Sequence, residues 1–406
     1  MNELLVLLLP LAAFSGWWIA KGDKKKDHHR RDEDYFQGLS YLLENETDKA
    51  IDIFVRIAHL DDSAIENQIT LGNLFRHRGE IDRALHIHTA LLSRQELSSE
   101  ALQRLHLALA DDYLQAGVMN HAKDYLEKAN AATSPALRDA AQRRLINLYE
   151  QQDQWQQAIE VAEALDPFRR DSIQQKVAHY YCELAEAKLS ASVDTPSQSN
   201  QSGQSDLSMS PSHTALAGAE EWLNKALICD KQCLRALIKL GEIAQLRGNY
   251  VQAINYYQRL EKIAPTFMLE VFDKLAACYD ALNQHHEWKN YLATYVRKYP
   301  SPALLLHLQQ SIAHIEGDEA AKKFLGEQLT NHPSLLTLHA YLHQLDHQDE
   351  SIKTLQFSLD RIIRQALRYR CRECGFRGNV LNWQCPGCKN WGAFTPVTDL
   401  TVKENV

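Results

Sequence analysis

Gly38 and Gly72 lie 34 residues apart, and so do Ala50 and Ala84. A chain that repeats itself at such an interval is built from units that cannot bury their apolar faces alone and must stack on their neighbours. The first unit reads Gly38-x-x-Tyr41, then Ala50-x-x-x-Phe54. The second reads Leu71-Gly72-x-x-Phe75, with Gly79 at a turn and then Ala84. The third runs Ala110, Tyr113, Gly117, Ala122, Leu126, and the fourth Tyr149, Trp155, Ala158. The sixth is the clearest, with Leu240-Gly241, Ala244, Gly248, Ala253, Tyr257, Leu260 and Pro265.

This is the tetratricopeptide pattern, two antiparallel helices per unit, with small residues where the helices approach and large ones filling the gap beside them. Glycine at the turn supplies a conformation other residues resist, and proline near the end stops the second helix. Sixteen Gly and eleven Pro in 406 residues suit long helical stretches better than a turn-rich β fold. The fold expected is therefore all-α, a tetratricopeptide-repeat superhelix over 35–333. Ala276, Tyr279, Trp288 and Leu292 mark a degenerate seventh unit, and Gly317, Ala320, Phe324 and Pro333 an eighth. Residues 334–370 keep a helical period, with Leu355, Leu359, Ile362, Ile363 and Leu367 on one face, and read as capping helices. Stacked helix pairs leave a concave surface that captures proteins and seldom catalyses.

Leu4–Ala20 carries no charge, and its seventeen residues span roughly 25 Å as a helix, the short end of what crosses a bilayer. Trp17 and Trp18 close it where indoles favour the interface. The N-terminus lacks the basic region and small-residue cleavage site of a signal peptide, so 1–20 reads as an uncleaved transmembrane anchor. Lys21, Lys24, Lys25, Lys26, Arg30 and Arg31 lie only on its C-terminal side, in a linker over 21–34. The positive-inside rule then places the body in the cytoplasm, on a single-pass membrane anchor.

Four of the eight cysteines fall within eighteen residues as Cys371-Arg-Glu-Cys374 and Cys385-Pro-Gly-Cys388. Two such knuckles bring four thiolates into a tetrahedron, the geometry of a closed structural site for one metal ion. Iron and zinc both suit four sulfurs, and the spacing does not choose between them. The knuckle and tail occupy 371–406, with Arg370, Arg372, Arg377 and Lys389 placed to offset the thiolate charge. Phe376, Trp383 and Trp391 are expected to dock on the last helices, making one body of knuckle and solenoid. Cys182, Cys229, Cys233 and Cys278 are scattered and read as buried free thiols, Cys229 and Cys233 sharing a helical face. His339, His343 and His347 recur on one helical face, where three ligands of a straight helix cannot meet on one ion. The net charge of −8 offers no footprint for nucleic acid, and no catalytic or nucleotide-binding motif points to an enzyme or a small-molecule substrate.

Tyr369, the four cysteines, Gly375, Phe376, Trp383, Pro386 and Trp391, with the order anchor, repeats and knuckle, resemble the lipopolysaccharide assembly protein B family of Gram-negative bacteria. The resemblance covers the whole chain, apart from a Ser-rich insert at 190–214. It implies a cytosolic solenoid packed on a rubredoxin-type knuckle and an adaptor without enzymatic activity. The partners it implies are an FtsH-type membrane protease, the deacetylase that commits precursors to lipid A, an inner-membrane sensor protein and lipopolysaccharide assembly enzymes. Two other roles fit the residues: a scaffold gathering those enzymes without proteolysis, and a rubredoxin-like electron carrier.

The insert, SASVDTPSQSNQSGQSDLSMSPSHT, has hardly any large apolar residue to bury and falls between the two helices of the fifth unit. Deleting Val193 to Met209 is expected to leave the thermal midpoint nearly unchanged, since closure entropy grows slowly with loop length. A drop of many degrees on calorimetry would show that the insert belongs to the folded core.

Overall fold

The closest approach within a helix pair sets the geometry of the repeats. A Cβ at Gly241 would lie 2.3 Å from Cε1 of Tyr257, and one at Gly72 would lie 2.3 Å from Nε2 of His88. Only a residue without a side chain lets the ring press against the facing backbone, so the small-then-large rhythm of the sequence is a packing rule.

The computed structural model describes residues 62–93, 97–191, 212–331, 333–345 and 350–401, with 36–38, 40–41, 49–50 and 53 before them. The expected anchor at Leu4–Ala20, the linker 21–34 and most of the insert lie outside the described residues. Among the described residues, no helix is long and apolar enough to cross a membrane.

The chain divides after Pro167 into two units. Among the described residues, the first holds three helix pairs: α1 (Asp62–His77) with α2 (Ile81–Leu92), α3 (Ser99–Gln115) with α4 (Met119–Asn130), and α5 (Pro135–Gln151) with α6 (Trp155–Glu163). Among the described residues, the second holds five: α7 (Gln174–Ala191) with α8 (His213–Cys229), and α9 (Leu234–Leu246) with α10 (Tyr250–Ile263). They continue, after a 3₁₀ turn at Pro265–Glu270, as α11 (Phe272–Ala281) with α12 (His285–Lys298), α13 (Pro302–Glu316) with α14 (Asp318–Asn331), and α15 (Leu335–His343) with α16 (Glu350–Gln365).

The turns explain themselves residue by residue. Gly79, Gly117, Gly248 and Gly317 have φ of 82°, 74°, 75° and 93°, and the matching positions of two other pairs hold Asp153 at 55° and Asn283 at 56°. Asp and Asn are the side chains that tolerate this left-handed region best, so two turns that lack glycine keep the same geometry. Ser98, Ser212 and Ser334 cap α3, α8 and α15 by accepting from the backbone N–H three residues on.

In the first unit the apolar core runs through Ile65, Ile69, Phe75, Ile87, Leu91, Leu105 and Leu109. A polar knot sits inside it. Asp112 of α3 is fully buried, accepting from Arg76 Nη1 of α1 at 2.9 Å and facing His88 Nδ1 of α2 at 2.5 Å. Nε2 of the same imidazole faces the Ile69 carbonyl at 3.2 Å, so one carboxylate ties three helices together. In the second unit Leu237, Tyr257, Phe267, Phe272, Trp288 and Tyr295 form the core.

The tail departs from the all-α expectation. The helix expected to run to Arg370 stops at Gln365, and Leu367–Cys371 is a strand. Its residues alternate, Tyr369 and Cys371 buried and Arg368 and Arg370 exposed, which is the period of a strand with one buried face. Leu367 therefore leaves the helical face on which it was expected, and Leu355 is exposed.

Asp112→Ala is expected to leave buried Arg76 with only the longer pair to Asp111 at 3.7 Å and to take the carboxylate away from His88 Nδ1, at a cost of about 3 kcal/mol. Urea unfolding followed by circular dichroism checks this, and a loss under about 1 kcal/mol would show that the knot is not structural.

Candidate metal centre

The strand Leu367–Cys371 (β1) lies between Arg377–Gly378 (β2) and Phe394–Thr401 (β3), antiparallel to both. This small sheet carries two knuckles of one design. In the first, Cys371 N–H donates to the Phe376 carbonyl at 2.8 Å and Gly375 N–H to the Cys371 carbonyl at 3.1 Å. In the second, Cys385 N–H donates to the Asn390 carbonyl and Lys389 N–H to the Cys385 carbonyl, both at 2.9 Å. The residue after the second cysteine of each knuckle is left-handed, Gly375 at φ 76° and Lys389 at φ 61°. Holding lysine in that region costs on the order of 1 kcal/mol, so the second knuckle tolerates strain that the first avoids.

The four sulfurs converge. All lie within 4.8 Å of one another, with Cys371 to Cys388 at 3.7 Å and Cys374 to Cys385 at 3.6 Å. A tetrahedral ion with bonds of about 2.3 Å to sulfur has sulfur–sulfur edges of about 3.8 Å, so spacing and donor set fit one zinc or iron ion. Burial pushes the Cys371 thiol up, but the backbone N–H groups of Cys374 and Glu373 facing its sulfur outweigh this and bring it down to about 7. A thiol so placed gives up its proton readily to a metal near neutral pH. Arg370 and Arg377, expected to offset the thiolate charge, stand directly opposite each other across β1 and β2, while Arg372 donates to the Gly392 carbonyl at 3.2 Å.

The knuckle docks on the start and the middle of the second unit, and the expectation that its rings pack on the last helices is corrected. Trp391 stacks on His179 of α7 at 5.1 Å and meets Tyr180 edge-on at 6.0 Å. Trp383 stacks on Phe267 of the 3₁₀ turn at 5.8 Å, and Tyr369 O–H donates to Glu270 of the same turn at 2.9 Å. The chain therefore doubles back on segments far upstream. Phe376 stays within the knuckle: it is 42% exposed, and its ring meets Phe394 of β3 at 6.1 Å and lies beside Gly387. Beside the docked tryptophans lies a cleft of about 510 Å³, lined by Lys176, Gln232, Arg372, Glu373 and Asn390 among others.

Of the scattered thiols, Cys229 and Cys233 do not share a helical face, because Cys229 ends α8 and Cys233 caps α9 across the turn between them. Cys233 instead faces Cys182 of α7, with the sulfurs 3.9 Å apart and both side chains buried. Nothing in the linear spacing pairs two residues 51 positions apart. His179 and Phe267 were likewise missed as docking partners, since each also reads as an ordinary repeat residue.

The fold and the sulfur cluster define a tetratricopeptide-repeat protein carrying a rubredoxin-type metal knuckle. The family model described as the rubredoxin metal binding domain matches residues 369–396, and a tetratricopeptide-repeat model matches 236–266. Lipopolysaccharide assembly protein B of Escherichia coli K12 is 32% identical over 410 residues, covering 98% of this chain and 99% of the relative. The protein of that name from Haemophilus influenzae is 30% identical over 418 residues, with the same coverage. The chain belongs to the lipopolysaccharide assembly protein B family. Among solved structures, a tetratricopeptide repeat protein from Parabacteroides merdae aligns at 13% identity with a TM-score of 0.30, covering 73% of this chain and 98% of that one.

Burial, and secondarily Arg235, drives the His179 pKa down to about 3, so the ring under Trp391 is neutral at physiological pH. An unfolded histidine takes its proton near 6.5, so stability at this joint is full above about pH 6.5 and is lost progressively as the pH falls towards 3. Between pH 6 and pH 5 the loss is expected to approach about 1 kcal/mol. His179→Phe is expected to flatten that part of the curve while keeping the stack. Denaturation at stepped pH, read by tryptophan fluorescence, checks it, and an unchanged slope in the variant would count against the assignment.

Proposed function

We propose that this chain is a membrane-anchored cytoplasmic adaptor controlling lipopolysaccharide synthesis. In this reading Leu4–Ala20 holds it in the inner membrane and the basic linker keeps the body on the cytoplasmic side. The repeats capture the lipid A-committing deacetylase and present it to an FtsH-type protease, under the influence of an inner-membrane sensor protein. The observation that carries the reading is kinship over 98% of the chain with relatives named for lipopolysaccharide assembly. Kinship and repeat fold together make this a scaffold and not an enzyme.

Within that role Cys371, Cys374, Cys385 and Cys388 would hold one zinc or iron ion. Bound there, the ion supplies a cross-link, since four sulfurs leave no position for water or substrate. What the protein's own residues do is hold Trp383 and Trp391 against α7 and the 3₁₀ turn, which keeps the knuckle and its adjoining cleft in fixed register with the repeats. A scaffold that gathers assembly enzymes without proteolysis uses the same surfaces, and the experiment below separates the two.

Cys371→Ser or Cys388→Ser removes a ligand no neighbour replaces, and the binding energy of such an ion is on the order of 10 kcal/mol of folding energy. The variants are expected to keep near-native far-UV circular dichroism, because repeats are stabilised by their neighbours, and to carry less than one metal per chain. The half-life of the deacetylase in cells is expected to lengthen to that seen without the protein. A half-life unaffected by removing the protein altogether would leave only the non-proteolytic scaffold. A visible spectrum that bleaches and returns on reduction and reoxidation would instead favour the electron carrier.

A further inference from the structure

The pair α15 and α16 has a small interior. Its buried residues are Thr337 and Leu342 on one helix and Gln356 and Leu359 on the other, so half of them are polar. Gln356 spends its amide on the Leu342 carbonyl at 2.7 Å. Leu342 and Leu359 are the buried apolar side chains of the pair.

On the edge of the same pair three donor atoms of metal-ligating type converge. His339 and His343 sit one turn apart on α15, their rings edge to face at 4.5 Å, and their Nε2 atoms are 3.1 Å apart. Asp360 reaches across from α16, with Oδ1 at 2.5 Å from His339 Nε2 and 3.5 Å from His343 Nε2. The histidine stripe thus contributes two nitrogens, and the third ligand comes from another helix, which the sequence pattern did not indicate. His347 lies outside the described residues.

As a hydrogen-bond cluster this arrangement is poorly matched. If His339 Nε2 carries a proton and donates it to Asp360, His343 Nε2 is left with the same, already engaged oxygen at a long 3.5 Å or with no partner of its own. If His339 Nε2 carries none, its lone pair points at a carboxylate oxygen. If both rings are charged, two cations stand 3.1 Å apart. A divalent cation removes the conflict, because all three groups then direct lone pairs at one centre. A tetrahedral ion with bonds of about 2.0–2.1 Å has ligand–ligand edges of about 3.4 Å, so the triangle found needs shifts of less than about 1 Å.

We infer that His339, His343 and Asp360 form a second metal site, of two nitrogens and one oxygen, for a borderline divalent cation such as zinc. The donor set differs from the four-sulfur centre: imidazole and carboxylate suit zinc, nickel or copper(II) and leave a position for water. The side chains are 23%, 44% and 33% exposed, so the ion enters from solvent. Its effect is to clamp α15 to α16, the pair from which β1 departs at Leu367.

The test uses the purified full chain with its sulfur site filled by one equivalent of zinc, titrated with cobalt(II) and then dialysed against excess zinc. The wild type is expected to take up one more equivalent than His343→Ala or Asp360→Asn, with cobalt bands lacking thiolate charge transfer. Loss of one ligand is expected to weaken that equivalent by about 100-fold or more. Excess zinc should also raise the thermal midpoint of the wild type more than that of the variants. His343 is exposed, so unchanged circular dichroism is expected to show that His343→Ala folds. Asp280, His285 and His314 form another cluster of donors, and any ion held there survives both substitutions, so the difference between wild type and variant is the readout. Equal stoichiometry in all three proteins, or no uptake by the wild type beyond the sulfur-bound equivalent, would overturn the proposal.

Discussion

Four sulfur atoms held within 4.8 Å of one another decide what the end of this chain can be. The buried cluster around them is Tyr369, Cys371, Cys385, Ala393 and Phe394, and two of its five members are themselves sulfur donors. An interior that small supplies little of the free energy needed to order some thirty residues, and as thiolates the sulfurs repel one another. A cation at their centre turns the repulsion into the cross-link that a module of this size otherwise lacks. Everything the tail presents to the rest of the protein follows from that: the strand β1, the two knuckles, and the directions in which Trp383 and Trp391 point.

Those two indoles carry the order of the knuckle into the repeats. Trp391 covers His179, and Trp383 covers Phe267, so a module at the end of the sequence rests on the start of the second unit and on its middle. The receiving surface is itself braced. Arg235 of α9 is buried between Glu183 and Glu186 of α7, at 2.6 and 2.9 Å, one turn along from His179. Removing either carboxylate would weaken the platform on which the tryptophan sits. In a repeat array each pair normally feels only its neighbours. Here a distant segment adds a long-range constraint, which gives the second unit a cooperativity that stacking alone does not provide.

How much of this was legible follows from the range of each interaction. The repeats were readable because their rules are local: Gly72 faces His88 and Gly241 faces Tyr257, each 16 positions along the chain. The knuckles were readable for the same reason, since the first cysteine of each, Cys371 and Cys385, is bonded to backbone groups within five residues of it. What failed was whatever required knowing which distant surfaces meet. Cys182 finds Cys233, Asp360 completes the histidine pair, and the tryptophans choose α7 over the last helices, none of which spacing encodes. The misplaced end of α16 is different in kind. Leu367 fits a helical period, but β1 gains hydrogen bonds on both edges from β2 and β3, and that pairing outweighs a local preference.

The proposed adaptor role places a further physical demand on the chain. Fourteen linker residues, 21–34, reach at most about 50 Å fully extended, so an anchored body stays in a thin layer beneath the bilayer. Confinement of that kind raises the effective concentration of one binding partner for another by orders of magnitude when both are tethered to the same membrane. A repeat surface of modest affinity is then sufficient to hand a client to a membrane protease, provided that the surface is rigid enough to offer one geometry. The knuckle meets that need at low cost in sequence: about thirty residues and one ion fix the register of the second unit, and specificity is left to the side chains that line its clefts.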